Sequence, residues 1–402
     1  MVEEVAVIGG GAAGFFAAIS AAHHHPHATI TIHEKTDKLL SKVRISGGGR
    51  CNVTHHQLEN RKLAKHYPRG ERFLRKAFER FAVKDTIAWF ETQGVALKVE
   101  PDGRMFPTTD DSKTITTALL GAAEKAGVRI ALHSSVSRIE RDLPHGGYVI
   151  HHGPQRSVVD RVIVTTGGHP KASGYSWLAE LGHTVVPPAP SLFTFNLPND
   201  PIRELMGVAV PAKVRIGTNA GMLGPVLITH WGLSGPAVLR LSAWEARQLQ
   251  EVGYRCTVHV NWLGERGEEE ARAAFTEHDM DRKHAQNADP FDLPDRLWCH
   301  QLQKAGIALE KPWGEVGKRN RNRLIDRLIN DRFEMEGKTT YKEEFVTAGG
   351  IALEEVDPRT MQSRLHRGLY FAGEILDIDG VTGGFNFQAA WTTGHIAGRL
   401  EG

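Results

Sequence analysis

The sequence predicts an α/β, Rossmann-like fold, and three observations predict it. An apolar run, Val5-Ala6-Val7-Ile8, opens into Gly9-Gly10-Gly11-Ala12-Ala13-Gly14 and a small-residue helix. A second apolar run from Ala28 to His33 ends on an acid, Glu34. Strand and helix patterns then alternate, and the alternation returns at the C-terminal end. In the Gly-x-Gly-x-x-Gly turn, Gly9 permits the tight turn, Gly11 lets the backbone approach a pyrophosphate, and Gly14 lets helix and strand pack closely. The helix start offers free N–H groups and positive dipole to phosphates. The Glu34 carboxylate suits both hydroxyls of an adenosine ribose. A structural Gly-rich turn explains the glycines alone; strand, helix, second strand and acid together point to a dinucleotide site. Gly9, Gly11, Ala12, Ala13, Gly14, Glu34 and Lys35 are the residues expected to line it.

Composition sets the class. The 402 residues allow two or three domains. Hydrophobic residues at 41% and charged residues at 24% fit a globular chain. A net charge of +2 is too balanced to argue, by itself, for nucleic acid or a membrane. Cys51, Cys256 and Cys299 are odd in number and far apart, which predicts free thiols in a reducing, cytoplasmic setting. No CxxC pair and no partner cluster for His23-His24-His25 suggests a metal. No signal-like start and no apolar run of membrane length is seen.

Along the chain, Phe73–Thr92 and Thr114–Ala126 read as helices. Val128–Leu132, Ser135–Glu140, Gly147–His152 and Arg161–Val164 read as strands. Pro187-Pro188-Ala189-Pro190 reads as a boundary. Beyond it, Phe193–Leu197, Val208–Ile216 and Arg255–Trp262 look like strands, and 265–336 is polar and mostly helical. The simplest organisation is one nucleotide-binding domain, 1–190 and 346–402, split by an insertion at 191–345.

Two further segments point to FAD as the dinucleotide. Val162-Ile163-Val164 opens into Thr165-Thr166-Gly167-Gly168. Leu369-Tyr370-Phe371-Ala372-Gly373-Glu374 precedes Asp379-Gly380-Val381-Thr382-Gly383-Gly384-Phe385-Asn386, which begins a last helix. A strand, an acid after Gly and a Gly-Gly helix start is how two-dinucleotide-binding-domain FAD flavoproteins end. Glu374 is placed to hold the ribitol or pyrophosphate. The N–H groups at Gly384–Asn386 would face flavin N1 and O2, where reduced flavin carries negative charge. Turn chemistry alone explains these glycines but not all three segments in one chain. Lys42, Val136, Thr166, Gly167, Gly168, Gly373, Asp379, Gly383 and Phe385 complete the expected cofactor contacts.

Ser46-Gly47-Gly48-Gly49-Arg50-Cys51-Asn52-Val53-Thr54 is the most specific local motif. Its glycines let backbone pass close to something flat or anionic. Arg50 is a candidate to neutralise a phosphate, a reduced flavin or an anionic substrate. Cys51 is a candidate acid or nucleophile, or a small buried thiol. Gly48, Gly49 and Asn52 are candidate cofactor contacts, Asn52 equally a turn residue.

These motifs occur in one order: the Gly-rich turn with Glu34, SGGGRCNVT at 46–54, Thr-Gly-Gly at 166–168, THWGLSGPA at 229–237, TAGG at 347–350 and GLYFAGEILDIDGVTGGFNFQAA at 368–390. Over essentially its whole length the chain resembles the YhiN/BaiN-like FAD-dependent oxidoreductases. The resemblance implies an FAD domain split by a β-barrel-like and helical insertion, with FAD against Gly9–Gly14, Glu34, Gly47–Asn52, Gly373, Glu374 and Gly384–Phe387. Two departures, Leu40-Ser41-Lys42 for Gly-Arg-Lys and Thr54-His55 for Thr-Asn, weaken carry-over at 40–41 and 55.

In the insertion, Thr229-His230-Trp231-Gly232-Leu233-Ser234 is a Gly-rich turn of donors and acceptors. His230 is a candidate general acid or substrate anchor, or a structural partner; the resemblance puts this turn near the flavin face. On a helix, Arg319, Arg323 and Arg327 form one basic stripe backed by Leu324, Ile325 and Leu328, suited to RNA phosphates or to a solvated face. The expected activity is FAD-dependent reduction of an unsaturated substrate. No second Gly-x-Gly-x-x-Gly is seen, so NAD(P)H is expected only as a transient reductant. The resemblance links the family to dihydrouridine in ribosomal RNA, to steroid-like enones and to amine oxidation; rRNA is the favoured substrate. A non-catalytic FAD-binding module in ribosome assembly is the alternative of another class.

Overall fold

The computed structural model describes residues 3–142, 146–277, 280–339 and 346–402. The chain divides into two units, Met1–Ser191 with Lys342–Gly402, and Leu192–Tyr341. The first boundary lies one residue past the expected 190; the second expected boundary, at 345, falls outside the described residues.

The first unit is built on β1 (Glu4–Ile8), α1 (Ala12–His24) and β2 (Thr29–His33). A five-stranded sheet runs in the order Leu369–Phe371, Arg161–Val164, β1, β2, Arg129–Ala131, and every pairing is parallel. A parallel sheet covered on both faces needs uninterrupted apolar strands. Val5–Ile8, Val162–Val164 and Leu369–Phe371 are accordingly buried throughout. Ile8 pairs with both His33 and Val164, so three strands end together and the turns that follow them gather at one edge.

The small residues of α1 set how close its neighbours come. Ala13 to Ala21 are all buried. A Cβ at Gly14 would fall inside the contact shell of the Gly9 carbonyl oxygen. The last helix, Phe385–Ala397, approaches the backbone of α1 closely at its glycines. A Cβ at Gly394 would lie 2.5 Å from the Ala13 carbonyl oxygen, and one at Gly398 would strike the Ala17 carbonyl.

Three elements differ from expectation. The helix expected over Phe73–Thr92 is two, Glu71–Ala77 and Val83–Thr92. Its apolar spacing continues through the gap, but Asp85 Oδ2 accepts the Ala82 N–H at 2.7 Å and starts a new helix there. The Pro187–Pro190 stretch, read as a boundary, forms a strand, Val185–Ser191, that ends where the first unit ends. It pairs antiparallel with Val346–Ile351, and the register shifts between Val186 and Ala189, where proline has no N–H to give. Gln155–Val159 adds a strand to an antiparallel sheet with Val136–Asp142 and Gly147–His152. That strand is mostly exposed and carries no apolar alternation to read.

The second unit is a seven-stranded antiparallel sheet, in the order Asp331–Glu336, Arg255–Asn261, Ala209–Ile216, Met222–Ile228, Gly232–Ser234, Thr194–Asn196, Lys338–Thr339. Its two outer strands are consecutive in sequence. Asp331–Glu336 pairs with one side, Lys338–Thr339 with the other, and Gly337 (φ +90°) joins them, so the sheet closes into a barrel. Val210, Ala212, Val214, Val258, Val260 and Phe333 fill its inside. Helices Glu268–Glu277, Asp295–Lys304 and Lys318–Asn330 lie in the chain between Arg255–Asn261 and Asp331–Glu336, around Trp298 and Trp313.

The helix Lys318–Asn330 corrects the basic stripe. Leu324, Ile325 and Leu328 are buried, as the spacing requires. Arg327, however, faces Asp331, whose carboxylate is buried and also accepts from Trp262 Nε1 (3.0 Å) and Gln301 Nε2 (2.8 Å). Arg327 Nη2 lies 2.8 Å from Asp331 Oδ1, and Arg327 Nε donates to Gln301. Removing a buried carboxylate's partner is costly, so this arginine is committed to the fold. Only Arg319 and Arg323 remain exposed.

Gly394→Ala is expected to destabilise the protein by about 1–3 kcal/mol through overpacking against α1 and to lower Tm by several degrees in a thermal melt. Gly121→Ala is the control, because a Cβ there meets nothing within 4 Å; its Tm should hold or rise. Equal melting of the two variants would contradict the close approach.

Candidate dinucleotide-binding site

The site starts where β1 ends. Gly9 (φ +115°) donates its N–H to the His33 carbonyl at 2.8 Å, and a Cβ there would lie 2.6 Å from the Thr165 carbonyl oxygen. Thr165 Oγ1 donates to the Ile8 and Gly9 carbonyls (2.9 and 3.0 Å), fixing the turn from the neighbouring strand. Gly11 faces the other way: an added Cβ would meet nothing within 4 Å. It also caps α1 without any side-chain hydrogen bond, so the first-turn N–H groups are left for a ligand.

Glu34 is held beside this turn. Its Oε2 accepts the Gly10 N–H at 2.9 Å, and Oε1 accepts from Thr36 N and Oγ1 at 3.0 Å. The segment beyond β2 comes alongside, with Ser134 N–H donating to the Glu34 carbonyl at 2.8 Å. Val136 begins the strand just after it, and Lys35 is exposed. His33 is buried against Ser134 Oγ (2.8 Å), and burial pushes its pKa down to about 4, so its ring is neutral near pH 7.

The Gly-rich segment leaves helical geometry at Ser46. Gly47, Gly48 and Gly49 take φ of +60°, +69° and +84°. Gly48 and Gly49 have open space where a Cβ would stand. Arg50, the candidate to neutralise an anion, is engaged by two acids. Its Nη1 lies 2.6 Å from Glu100 and 3.5 Å from Asp110, and its guanidinium sits 4.0 Å above the Phe106 ring. Two carboxylates already compensate its charge. Cys51 is a correction. It is fully buried, and burial pushes its thiol up to about 12, so it is neither a thiolate nucleophile nor a ready acid near pH 7. Asn52 ties this segment to the C-terminal one: its amide accepts the Gly384 N–H (2.9 Å) and donates to the Thr54 carbonyl (3.0 Å). The Gly384 N–H expected to face a flavin is thus used within the protein.

Glu374 gathers a second cluster. Lys42 Nζ is 2.7 Å from its Oε2, and Thr347 N–H donates to Oε1 at 2.8 Å. A Cβ at Gly168 would lie 2.9 Å from Glu374 Oε1 and 2.7 Å from Thr347 Cβ. The Thr347 hydroxyl is buried without a hydrogen-bond partner among the described residues. Thr166 is exposed, and Gly167 (φ +74°) leads into this cluster. Gly373 (φ +79°) has no room for a Cβ, with Ala13 Cβ at 2.8 Å, and so joins this cluster to α1. Asp379 corrects an expectation: it is fully buried, both oxygens face the Arg69 guanidinium, and Oδ2 also accepts from Ser191 Oγ (2.7 Å). It shapes the loop instead of facing a ligand.

The loop into the last helix is pinned from several sides. Asn386 accepts the Gly380 N–H and donates to its carbonyl, both at 2.8 Å. Gly383 and Gly384 take φ of +131° and +91°. The Phe385 ring packs against the rings of both His66 (4.2 Å) and His55 (4.6 Å). Gln388 is fully buried; it accepts from Thr54 Oγ1 (2.6 Å) and donates to Thr86 and Thr392. Sequence reasoning missed Arg69, His66, Gln388 and the role of Thr347. Their partners are remote in the chain, so no local spacing marks them.

In the second unit, His230 is exposed in the turn between strands Met222–Ile228 and Gly232–Ser234, its ring 4.4 Å from Trp231. Thr229 Oγ1 accepts from Trp231 and Gly232 N–H, and Arg203 donates to the His230 carbonyl at 2.7 Å. Its imidazole nitrogens carry no hydrogen bond among the described residues. Among those residues no group of three His, Cys, Asp or Glu could hold a metal, and no helix is long and apolar enough to cross a membrane.

The first unit's residues fit an FAD. Gly11, Gly48 and Gly49 each leave open space at the backbone, Glu34 is held beside the turn, and the Thr347 hydroxyl has no partner among the described residues. Comparison with known proteins agrees with the Rossmann-like class. Residues 3–400 match the family described as HI0933-like protein Rossmann domain. A Clostridium scindens protein named 3-dehydro-bile acid delta(4,6)-reductase is 30% identical over 385 residues, 92% of each chain. An Escherichia coli protein named ribosomal RNA dihydrouridine synthase is 30% identical over 363 residues, 88% of this chain and 86% of that one. A Haemophilus influenzae protein of the same name is 28% identical, covering 91% of both. Among solved structures, a 3-ketosteroid-delta4-(5alpha)-dehydrogenase from Rhodococcus jostii superposes with a TM-score of 0.51 at 14% identity, over 100% of this chain and 97% of that one. The quinol fumarate reductase subunit FrdA of E. coli gives 0.51 at 14%, over 99% and 69%. At these identities the likeness speaks for the fold alone.

Glu34→Gln is expected to weaken FAD binding by about 10–100-fold, the worth of a hydrogen bond to a charged group. Titration of the apoprotein with FAD, followed by flavin fluorescence, measures it. Unchanged affinity would mean that Glu34 does not hold the ribose.

Proposed function

The chain belongs to the HI0933-like family of FAD-dependent oxidoreductases, and we propose that it reduces the ring double bond of uridine in ribosomal RNA, with NAD(P)H as the transient electron donor. The observation that carries the substrate is the likeness, over most of the chain, to two relatives named ribosomal RNA dihydrouridine synthase. When bound, FAD supplies a hydride to an electron-poor carbon–carbon double bond. The protein's part is holding, orienting and proton supply. Glu34 and the Gly9–Gly14 turn take the adenosine ribose and the pyrophosphate. Lys42, Glu374 and Thr347 serve the linking chain of the cofactor. The first-turn N–H groups of the helix Phe385–Ala397 offer positive dipole to its ring. Reduction of the double bond also consumes a proton. Cys51, with its thiol pushed up to about 12, is unsuited to give it. His230, with an exposed ring free of hydrogen-bond partners among the described residues, is the proposed donor.

One observation favours a second reading, a small-molecule enone reductase: the relative named 3-dehydro-bile acid delta(4,6)-reductase is as similar as the E. coli one, at 30%.

The test supplies FAD-loaded protein with NADPH or NADH under anaerobic conditions and offers either unmodified ribosomal RNA fragments or a steroid enone. The expected result is dihydrouridine in the RNA, detected by nucleoside mass spectrometry, at a rate lowered about 100-fold or more in His230→Gln. Enone turnover with untouched RNA would overturn the proposal in favour of the second reading.

A further inference from the structure

We propose that the outer face of the barrel carries a phosphate-binding pocket that takes the backbone of an RNA strand. The proposal rests on the RNA reading above and names the surface that would serve it.

The pocket is a cavity of about 290 Å³ lined by Lys213, Arg215, Asn219, His259 and Asn261, with Ala220 and Ile329 behind them. No acid lines it. Its chemistry follows from strand alternation. On Ala209–Ile216 the side chains of Val210, Ala212, Val214 and Ile216 are buried, which turns Lys213 and Arg215 outward together. Arg215 stands opposite His259, and Lys213 opposite Asn261, on the adjoining strand. His259 in turn stands opposite Arg332 on the next strand. Directly paired residues share a face, so Arg215, His259 and Arg332 form a row across three strands.

The row is pre-arranged. Asn330 Oδ1 accepts from Arg215 Nη2 and from His259 Nδ1, both at 2.8 Å, and Arg215 Nη1 donates to the Gly217 carbonyl at 2.5 Å. These bonds leave Arg215 Nε as a donor without a partner among the described residues. The nearby acids stand at the margin of the pocket or are held loosely. Glu245 accepts from Asn219, itself a lining residue, at 2.9 Å, Glu334 accepts from Thr257, and Glu336 stands opposite Arg255 in the strand register. Glu265 is 3.8 Å from Lys213 Nζ and largely exposed, a pair worth little in water. Arg332 is exposed and has no ion pair among the described residues.

A single small anion needs only the pocket. Arg332 extends the positive row past it, roughly two strand spacings (about 9–10 Å) from Arg215. Cations spread over that distance suit a chain of phosphates, and neutral amides beside them suit its sugars. The barrel face therefore offers what the Lys318–Asn330 helix cannot, since Arg327 is held by Asp331.

The experiment measures binding of the FAD-loaded full chain to an unmodified ribosomal RNA fragment across a salt series. Wild type should bind with log K falling linearly against log salt. Lys213→Gln with Arg332→Gln should weaken binding by about tenfold or more near 0.15 M salt and reduce the slope by about 1.4, roughly 0.7 per lost phosphate contact. The charge-keeping pair Lys213→Arg with Arg332→Lys should restore both. Melting curves and the flavin spectrum check that each variant is folded. Wild-type RNA binding that the Gln pair leaves unchanged would overturn the pocket while sparing the RNA reading. A Gln pair that keeps RNA binding but loses affinity for NADPH or inorganic phosphate would assign the pocket to a free phosphate and overturn the proposal. Wild type that binds no RNA would overturn the RNA reading and the pocket with it.

Discussion

Everything in the nucleotide-binding unit depends on how closely backbone approaches α1. Gly14 brings the helix onto its own preceding turn, Gly373 sets the acidic segment against Ala13, and Gly394 and Gly398 bring the last helix onto Ala13 and Ala17. At each of these four places a methyl group would collide with atoms that have nowhere to go, because interiors are packed like crystals. This is why four remote stretches of chain share one edge of the parallel sheet. The free N–H groups of α1, the Glu34 carboxylate and the Glu374 cluster are then neighbours by construction.

A second layer of constraint is polar. The last helix would be free to slide along α1 if packing alone held it. Gln388 joins it to Thr54 and Thr86, Trp391 Nε1 donates to the Val53 carbonyl at 2.9 Å, and Asn52 holds the Gly384 N–H. Buried groups of this kind cost the most when a partner is missing, so a displaced helix would leave several unsatisfied at once. The Arg69–Asp379 pair does the same for the loop before the helix, with its carboxylate wholly enclosed. The charge expected to meet ligand at Asp379 is thus spent on shape, while Glu34, Lys42, Glu374 and Thr347 are grouped about the open glycines.

How legible this was in the sequence depends on whether the cause is local. The strands Gly147–His152 and Arg161–Val164 were readable to the residue, because β period and buried runs are local signals. The Gly-rich turn and Glu34 were readable because one backbone geometry demands those residue types. The break between the helices Glu71–Ala77 and Val83–Thr92 was not, since apolar residues bridge it and one side chain, Asp85, decides it. The strand Gln155–Val159 was hidden by its exposure. Among site residues, the fates of Arg50 and Asp379 were unreadable because their partners lie 50 and 310 positions away. The barrel's closure rests on Gly337, a lone glycine that no pattern distinguishes from a turn. The basic row on the barrel depends on register between three strands, which no single stretch of sequence contains.

The proposed reaction of this chain is dihydrouridine formation in ribosomal RNA. The most direct measurement is nucleoside mass spectrometry of ribosomal RNA from cells with and without the gene. The account predicts loss of dihydrouridine at one position on deletion, restored by the wild-type gene and not by a Glu34→Ala copy that no longer holds FAD. An identical dihydrouridine profile in the two strains would contradict it.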